Sequence, residues 1–544
     1  MAGSGGSAAM RRWSMIALLA AILALGLFLR AFQLGHQIVQ DDEWHAIIKF
    51  TRSSYLEIAT SLGLADFCIP LTLFFKWLAG NGRLSEAWML GFPFAFGVAA
   101  WLYAVWLARR ALSPLALTTF AGLLAISPLL VLFTRQARPY AITLLLTLVA
   151  LASVYRWSSR RRLSDGLLYV VCGTAAMYFH MIVAPVILGA ALVLAVEWLQ
   201  SGRSDRSYPR ALAGWLFLVV ALTAALVVPA MWNDRKLLAL RSGVDHATLE
   251  SIGRGTMMLL GTGSELLALA MSVLAVAGAA AAWKRFPRAA RFASALLTLQ
   301  VAAVFLSGAL WLSHQLVLAR YLLVALPLLL LAVALGFDAA CTTLLPPRAR
   351  LLAWLGAAAL LAAGFFTGPL PRALAYPNAF FSNYLYWVDY DPAHNVIYPY
   401  VTQTRVPEFY RDLGRLPRGT KTLIEGPWRF ESIFDRLGYF QEFHRQHVKI
   451  AMVGTLCPPG SFAEQPRTFR NKFRHFIDIA RPAVELRREG DYVVFHRKLE
   501  IANIWDHPAL PPVDGCIADF RRRFGEPAFE DDIITVFDLH RERK

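Results

Sequence analysis

Residues 39–45 read Val39-Gln40-Asp41-Asp42-Glu43-Trp44-His45, three consecutive carboxylates directly after the first long apolar run. A carboxylate can take a proton from a hydroxyl, hold a cation, or simply solvate a turn. An acidic side chain at mid-membrane costs roughly 2.5–3.5 kcal/mol on insertion scales, so three beside a hydrophobic run need either water or a task. Two readings stay open on charge alone: a solvated interfacial turn, and an acidic active site at the lipid–water boundary. Like charges this close raise the pKa of one member, which suits a base.

A second group is cationic and aromatic. Arg135 and Arg138 lie in Thr134-Arg135-Gln136-Ala137-Arg138-Pro139-Tyr140, His180 follows Tyr178-Phe179, and Arg320-Tyr321 comes shortly after Ser313-His314-Gln315. All fall at junctions between apolar runs, on the side that carries the carboxylates. Guanidinium forms bidentate bonds to phosphate, so a bound anion is one reason for arginines there. Pairing with Asp41, Asp42 or Glu43 is the other. His180 alone is more often a satisfied polar group than a ligand or a base.

The elements that would position these residues are membrane helices. The chain has 544 residues, 57% hydrophobic and 17% charged, where a water-soluble domain carries nearer a quarter charged. A formal net charge of +17 suggests nucleic acid until the basic residues are located, in short clusters between apolar runs. Spans of about 17–25 apolar residues fall near 13–34, 86–108, 112–133, 140–157, 163–179, 182–199, 211–231, 265–283, 292–312, 317–337 and 351–366, about eleven in all. Arg11/Arg12, Arg109/Arg110, Arg156/Arg160/Arg161/Arg162, Arg203/Arg206/Arg210, Lys284/Arg285/Arg288/Arg291 and Arg348/Arg350 occupy every second boundary. The positive-inside rule then sets a cytoplasmic N-terminus and places the carboxylates and the C-terminal segment outside. Residues 1–12 read as a disordered cytoplasmic N-terminus and 13–370 as the membrane domain. Within it, the loop 35–85 carries short apolar stretches at 56–64 and 66–78 that suit helices lying in the interface.

From 371 to 544 the sequence turns polar and aromatic. Short β-like runs at 421–424, 448–453, 473–477, 491–496 and 533–537 alternate with helix-like stretches such as 407–413 and 430–443, the pattern of one extracytoplasmic α/β domain. Its entry is rich in aromatics (Tyr384, Tyr386, Trp387, Tyr390, Tyr398, Tyr400). No glycine-rich phosphate loop opens its helices. Cys457 and Cys516 share this domain, and spacing does not decide whether they pair. No Cys/His cluster suggests a dedicated metal cage.

These residues resemble the GT-C membrane glycosyltransferases, in the group of protein O-mannosyltransferases and lipid A aminoarabinose transferases. The resemblance spans roughly 13–337 and rests on four motifs: Asp42-Glu43, Arg135-Gln136-Ala137-Arg138-Pro139-Tyr140-Ala141, Tyr178-Phe179-His180, and Arg320-Tyr321-Leu322 leading to Leu326-Pro327. It implies transfer of a sugar, with inversion, from a polyprenyl-phosphate donor to a hydroxyl of a lipid, glycan or protein. The site would lie at the outer face of a bacterial cytoplasmic membrane. Asp42 would be the base, with Asp41 and Glu43 tuning it, orienting the acceptor or binding a divalent cation. Arg135, Arg138 and Arg320 would hold the lipid phosphate, and His45, Tyr140, His180 and Tyr321 would contact substrate. No firm cofactor and no nucleic-acid partner is implied. The chain departs from the family at Cys68-Ile69-Pro70-Leu71, where relatives carry a His-Pro-Pro-Leu-like stretch, and at Trp88-Met89-Leu90-Gly91, where they often have arginine. A transporter or flippase for a lipid-phosphate substrate is the alternative, against which stands the lack of an internal repeat of broken helices.

Overall fold

The computed structural model describes residues 4–39, 42–62, 68–202, 205–241, 243–375, 405–426, 437–452, 473–497 and 513–541. Asp41, the aromatic segment 384–400, Cys457 and the start of the stretch 66–78 lie outside them, as do the side chains of Asp42 and His45. Two compact units divide the chain. One comprises 1–32, 53–73 and 91–371; the other comprises 33–52, 74–90 and 372–544.

Nine helices among the described residues are long and apolar enough to cross a membrane, and a tenth if one bent pair is a single span. The chain is thus a polytopic helical membrane protein. The helices used below are α1 (Ser4–Ala31), α2 (Asp42–Arg52), α3 (Tyr55–Ala59), α4 (Ile69–Gly80), α5 (Glu86–Ala108), α6 (Pro114–Ile126), α7 (Pro128–Arg135), α8 (Tyr140–Arg160), α9 (Leu163–Phe179) and α10 (Ala184–Gln200). They continue as α11 (Ser207–Asn233), α12 (Arg235–Arg241), α13 (Leu249–Leu260), α14 (Glu265–Arg285), α15 (Pro287–Ser307), α16 (Gln315–Tyr321), α17 (Leu326–Leu344) and α18 (Arg350–Thr367). The eleventh span expected from sequence, α9, has 17 residues, the lower limit for crossing.

Two expected spans are broken instead of continuous, the first at a proline and the second just ahead of one. The run 112–133 becomes α6 and α7, which meet at 51°. Pro128 has no N–H, so Leu124 O loses its usual donor four residues on. Arg30, fully buried on α1, replaces it: Nη2 donates to Leu124 O at 2.9 Å, and Nη1 donates to Ala125 O at 3.0 Å and Gly26 O at 2.9 Å. Its guanidinium also lies 4.6 Å from the Trp101 ring centroid. A side chain that satisfies such a break is what makes it tolerable in hydrocarbon. The run 317–337 likewise splits at Leu322 into α16, a 3-10 turn Leu323–Ala325, and α17, with Pro327 in the first turn of α17. Because of this break, Arg320 and Tyr321 precede the span, which begins at Leu323.

Glycine sets one of the closest helix pairs. A Cβ on Gly278 of α14 would collide with Ala332 O of α17, and one on Gly336 would collide with Leu274 O. The two backbones therefore touch, as small-residue seams allow in membranes.

The second unit contains a six-stranded sheet: β1 (Thr422–Gly426), β2 (His447–Met452), β3 (Phe476–Asp478), β4 (Tyr492–His496), β5 (Phe529–Glu530) and β6 (Ile534–Asp538). The order is β3-β2-β1-β4-β6-β5; the first four are parallel, and β6 runs antiparallel to both of its neighbours, β4 and β5. Alternation along each strand sorts two cores. Ile424, Val493, Phe495 and Phe537 pack with Cys516 and Phe520 of helix Asp514–Phe524. Leu423, Val494 and Val536 pack with Tyr410 and Phe440 on the other face. This is the α/β domain expected from sequence; helices Ala483–Glu489 and Asp514–Phe524 and strand β5 were not foreseen there. Cys516 is disulfide-bonded.

Candidate functional site

The break at residues 136–139 turns the chain between α7 and α8. Gln136 is extended at φ −90° and ψ 141°, and Pro139 leads into the first turn of α8. Arg135 thereby ends one helix, Tyr140 opens the next, and Arg138 projects from the turn. Arg135 is fully buried, and its Nη1 donates to Leu29 O at 3.4 Å. Arg138 and Tyr140 are each 6% exposed, and Arg138 Nη2 reaches Tyr140 Oη at 3.5 Å.

Tyr140 is the hub. The Arg138 guanidinium lies 5.8 Å from its ring centroid and the Arg320 guanidinium 5.6 Å. The His180 ring stands 5.5 Å from Tyr140 and 6.5 Å from Tyr321, whose ring is 5.6 Å from the Arg320 guanidinium. Phe133 packs edge-on to Tyr140 at 4.7 Å. Residues nearly two hundred apart thus meet at one end of the bundle. Arg138, Tyr140, His180, Arg320 and Tyr321, all expected from sequence, come together here.

Each member is held locally. His180 ends α9 in extended conformation, and its Nδ1 accepts from Ile182 N–H at 3.3 Å. His314 caps α16 in the same way, with Nδ1 accepting from Leu316 N–H at 3.3 Å. Burial pushes the His314 imidazole down to about 4, with Arg320 adding to the effect, so it is neutral near pH 7. The loop before it is tied by Asp245, whose Oδ2 accepts from Ser313 N–H at 2.8 Å and from Ser313 Oγ at 2.7 Å. Burial pushes the Asp245 carboxyl up, but the Ser313 bonds outweigh it and hold it below the usual range.

Sequence reasoning missed Gln300. It sits fully buried in the middle of the apolar helix α15, and its Nε2 donates to Ile182 O at 3.0 Å and to Tyr321 O at 3.1 Å. One amide thus fixes the turn after His180 and the end of the Arg320 helix together. A lone glutamine within a membrane span was the available signal.

Among the carboxylates, Asp42 opens α2 and Glu43 is 1% exposed. In the same unit, Glu86 accepts from Arg474 N–H at 3.1 Å and lies 3.2 Å from His475 Nδ1, contacts that sequence did not suggest. No group of three or more His, Cys, Asp or Glu fit to hold a metal occurs among the described residues.

Together these features define a multi-pass membrane protein with a C-terminal α/β domain and an arginine–aromatic cluster at one end of its bundle. No family profile matches the chain, and no curated protein matches it by sequence. Two solved structures are similar to it over nearly their full length. ArnT from Cupriavidus metallidurans in the apo state is 13% identical, with 98% of each chain covered and a TM-score of 0.44. ArnT from the same organism bound to undecaprenyl phosphate is 12% identical, with 96% of this chain and 98% of that chain covered and a TM-score of 0.43.

Proposed function

We propose that this protein is a GT-C-type glycosyltransferase, moving a sugar from a polyprenyl-phosphate donor to a hydroxyl acceptor at the outer face of the cytoplasmic membrane. The observation that carries this reading is the approach of the Arg138 and Arg320 guanidinium groups to one tyrosine ring, beside His180 and Tyr321. Guanidinium groups gathered around one ring suit an anion, and the planar fork of arginine fits a phosphate. A phosphate on a lipid chain can reach such a cluster from the bilayer; the aromatic faces suit a sugar or a prenyl unit.

In this mechanism the phosphate is the leaving group. Its developing charge is met by Arg138 and Arg320, with Arg135 adding positive potential from the preceding helix. The acceptor hydroxyl needs a base, and Asp42 takes that role, with Asp41 and Glu43 setting its proton affinity. The hydroxyl oxygen attacks the anomeric carbon as the bond to the phosphate oxygen breaks, so configuration inverts and Asp42 retains the proton. His45, Tyr140, His180 and Tyr321 line the substrates. The sugar and the acceptor are not assigned.

Undecaprenyl phosphate is the probe that tests the phosphate site. The purified chain should bind it, and Arg138→Ala or Arg320→Ala should weaken binding roughly tenfold each, with Lys restoring part. Asp42→Asn should bind it normally while transfer of radiolabelled sugar from a polyprenyl-phosphate donor falls a hundredfold or more. Unchanged affinity in both arginine variants would refute the phosphate site. Near-normal transfer by Asp42→Asn would move the base elsewhere.

A further inference from the structure

At the opposite end of the membrane bundle, the first unit contains an open cavity of about 1610 Å³ between residues 14–18 of α1, the α5–α6 turn, the end of α17 and the start of α18. Its wall is apolar where Ile16, Leu115 and Trp354 line it and charged where Arg109, Asp338 and Arg350 do. Nothing in the proposed transfer reaction uses it.

We infer that this cavity binds one aminophospholipid from the leaflet on the arginine-rich side, its phosphate at Arg109 and Arg350 and its ammonium at Asp338. The charge pattern selects the occupant. Two guanidinium groups and one carboxylate match a headgroup with one phosphate and one primary ammonium, whereas a purely anionic headgroup would meet the carboxylate as well. Asp338 is partly buried and already accepts from Ser113 Oγ at 2.7 Å, which leaves its other oxygen to take an ammonium hydrogen. Ser113 itself caps α6 through Ala116 N–H, so the carboxylate is held in place. Arg109 is steadied against the Trp106 ring at 4.5 Å, with Nη1 donating to Trp106 O at 2.7 Å; its other nitrogens remain to meet a phosphate. Arg350 forms no ion pair among the described residues. The apolar wall accommodates acyl chain, as grooves between membrane helices do.

Native mass spectrometry of the full chain in detergent tests this, with phosphatidylethanolamine, phosphatidylcholine and phosphatidylglycerol of identical acyl chains as probes. The chain should retain one phosphatidylethanolamine in preference to the other two. Replacing Arg109 and Arg350 with Ala should lower retention roughly fivefold for each arginine. D338N keeps the bond from Ser113, so it should fold normally, yet lose discrimination between the primary ammonium and the quaternary one. Equal retention of all three lipids, preference for phosphatidylglycerol, or retention unchanged in the double arginine variant would each overturn the inference. Because these residues lie at the other end of the bundle from Arg138 and Arg320, undecaprenyl phosphate binding should be unaffected.

Discussion

His314 makes the Arg320 segment acid-sensitive, in an amount that follows from its surroundings. Its imidazole is 8% exposed, accepts from Leu316 N–H to cap α16, and is pushed from 6.5 down to about 4. Burial is the main cause and the charge of Arg320 the second. The ordered state therefore prefers neutral His314, while an opened segment protonates near 6.5. The stability this contributes is complete above pH 6.5 and is lost as pH falls toward 4. With the slope approaching 1.36 kcal/mol per pH unit between the two pKa values, the loss between pH 6.5 and pH 4.5 is about 2.2 kcal/mol, a roughly fortyfold rise in the opened population. Protonation also removes the lone pair that caps the helix. His314→Asn retains a capping oxygen and cannot titrate. Hydrogen exchange of the α16 amides, corrected for intrinsic rates, should accelerate steeply over this range in the native chain and stay nearly flat in His314→Asn. Undecaprenyl phosphate affinity should follow the same contrast, since Arg320 moves with the helix. An equal pH slope in the two proteins would refute the assignment.

Three further outcomes are expected. Gln300→Leu leaves Ile182 O and Tyr321 O without their buried donor, at about 1–3 kcal/mol for each carbonyl, and should weaken undecaprenyl phosphate binding; intact binding would make the glutamine merely structural. Gly336→Ala puts a methyl group against Leu274 O, and should cost about 1–3 kcal/mol in detergent stability, seen as a lowered Tm; an unchanged Tm would show that the α14–α17 seam can yield. In the α/β domain, fully buried Glu425 accepts from Tyr410 Oη at 3.0 Å and lies 2.9 Å from His496 Nε2. His496→Ala strips that partner and should cost about 3–5 kcal/mol, with Glu425→Gln on top restoring part; equal Tm values for single and double variants would exclude the pairing.

Much of this architecture was legible because the bilayer imposes long apolar runs, and ten of the eleven expected spans correspond to candidate crossings, one of them bent. What sequence periodicity could not supply was continuity. The runs 112–133 and 317–337 are apolar throughout, and only Pro128 and Pro327 mark where they break. The break at Pro128 depends on a partner remote in sequence, Arg30, which lies within the apolar run 13–34 and whose role rests on three carbonyl acceptors. Gln300 stood out only as a lone amide in an apolar run, because its role lies in two carbonyls on other segments. The Arg138–Tyr140–Arg320 grouping was more accessible, because the loop-charge rule makes arginines on the side away from the basic loops conspicuous.

The breaks and the cluster have one physical origin. A continuous helix through 112–135 would satisfy its own backbone and carry Arg135 onward along a straight axis. The bend at Pro128 lets Arg135 reach Leu29 O, one residue from the arginine that stabilises the bend itself. The second break similarly holds Arg320 ahead of its span, where it meets Tyr140. Cations that a bilayer would reject are thus kept at the end of the bundle by irregular backbone, and irregular backbone survives there because buried polar side chains complete its hydrogen bonds. Arg30 and Gln300 are therefore as much a part of the cluster as Arg138 and Arg320, and losing either should disorder it before it unfolds the bundle.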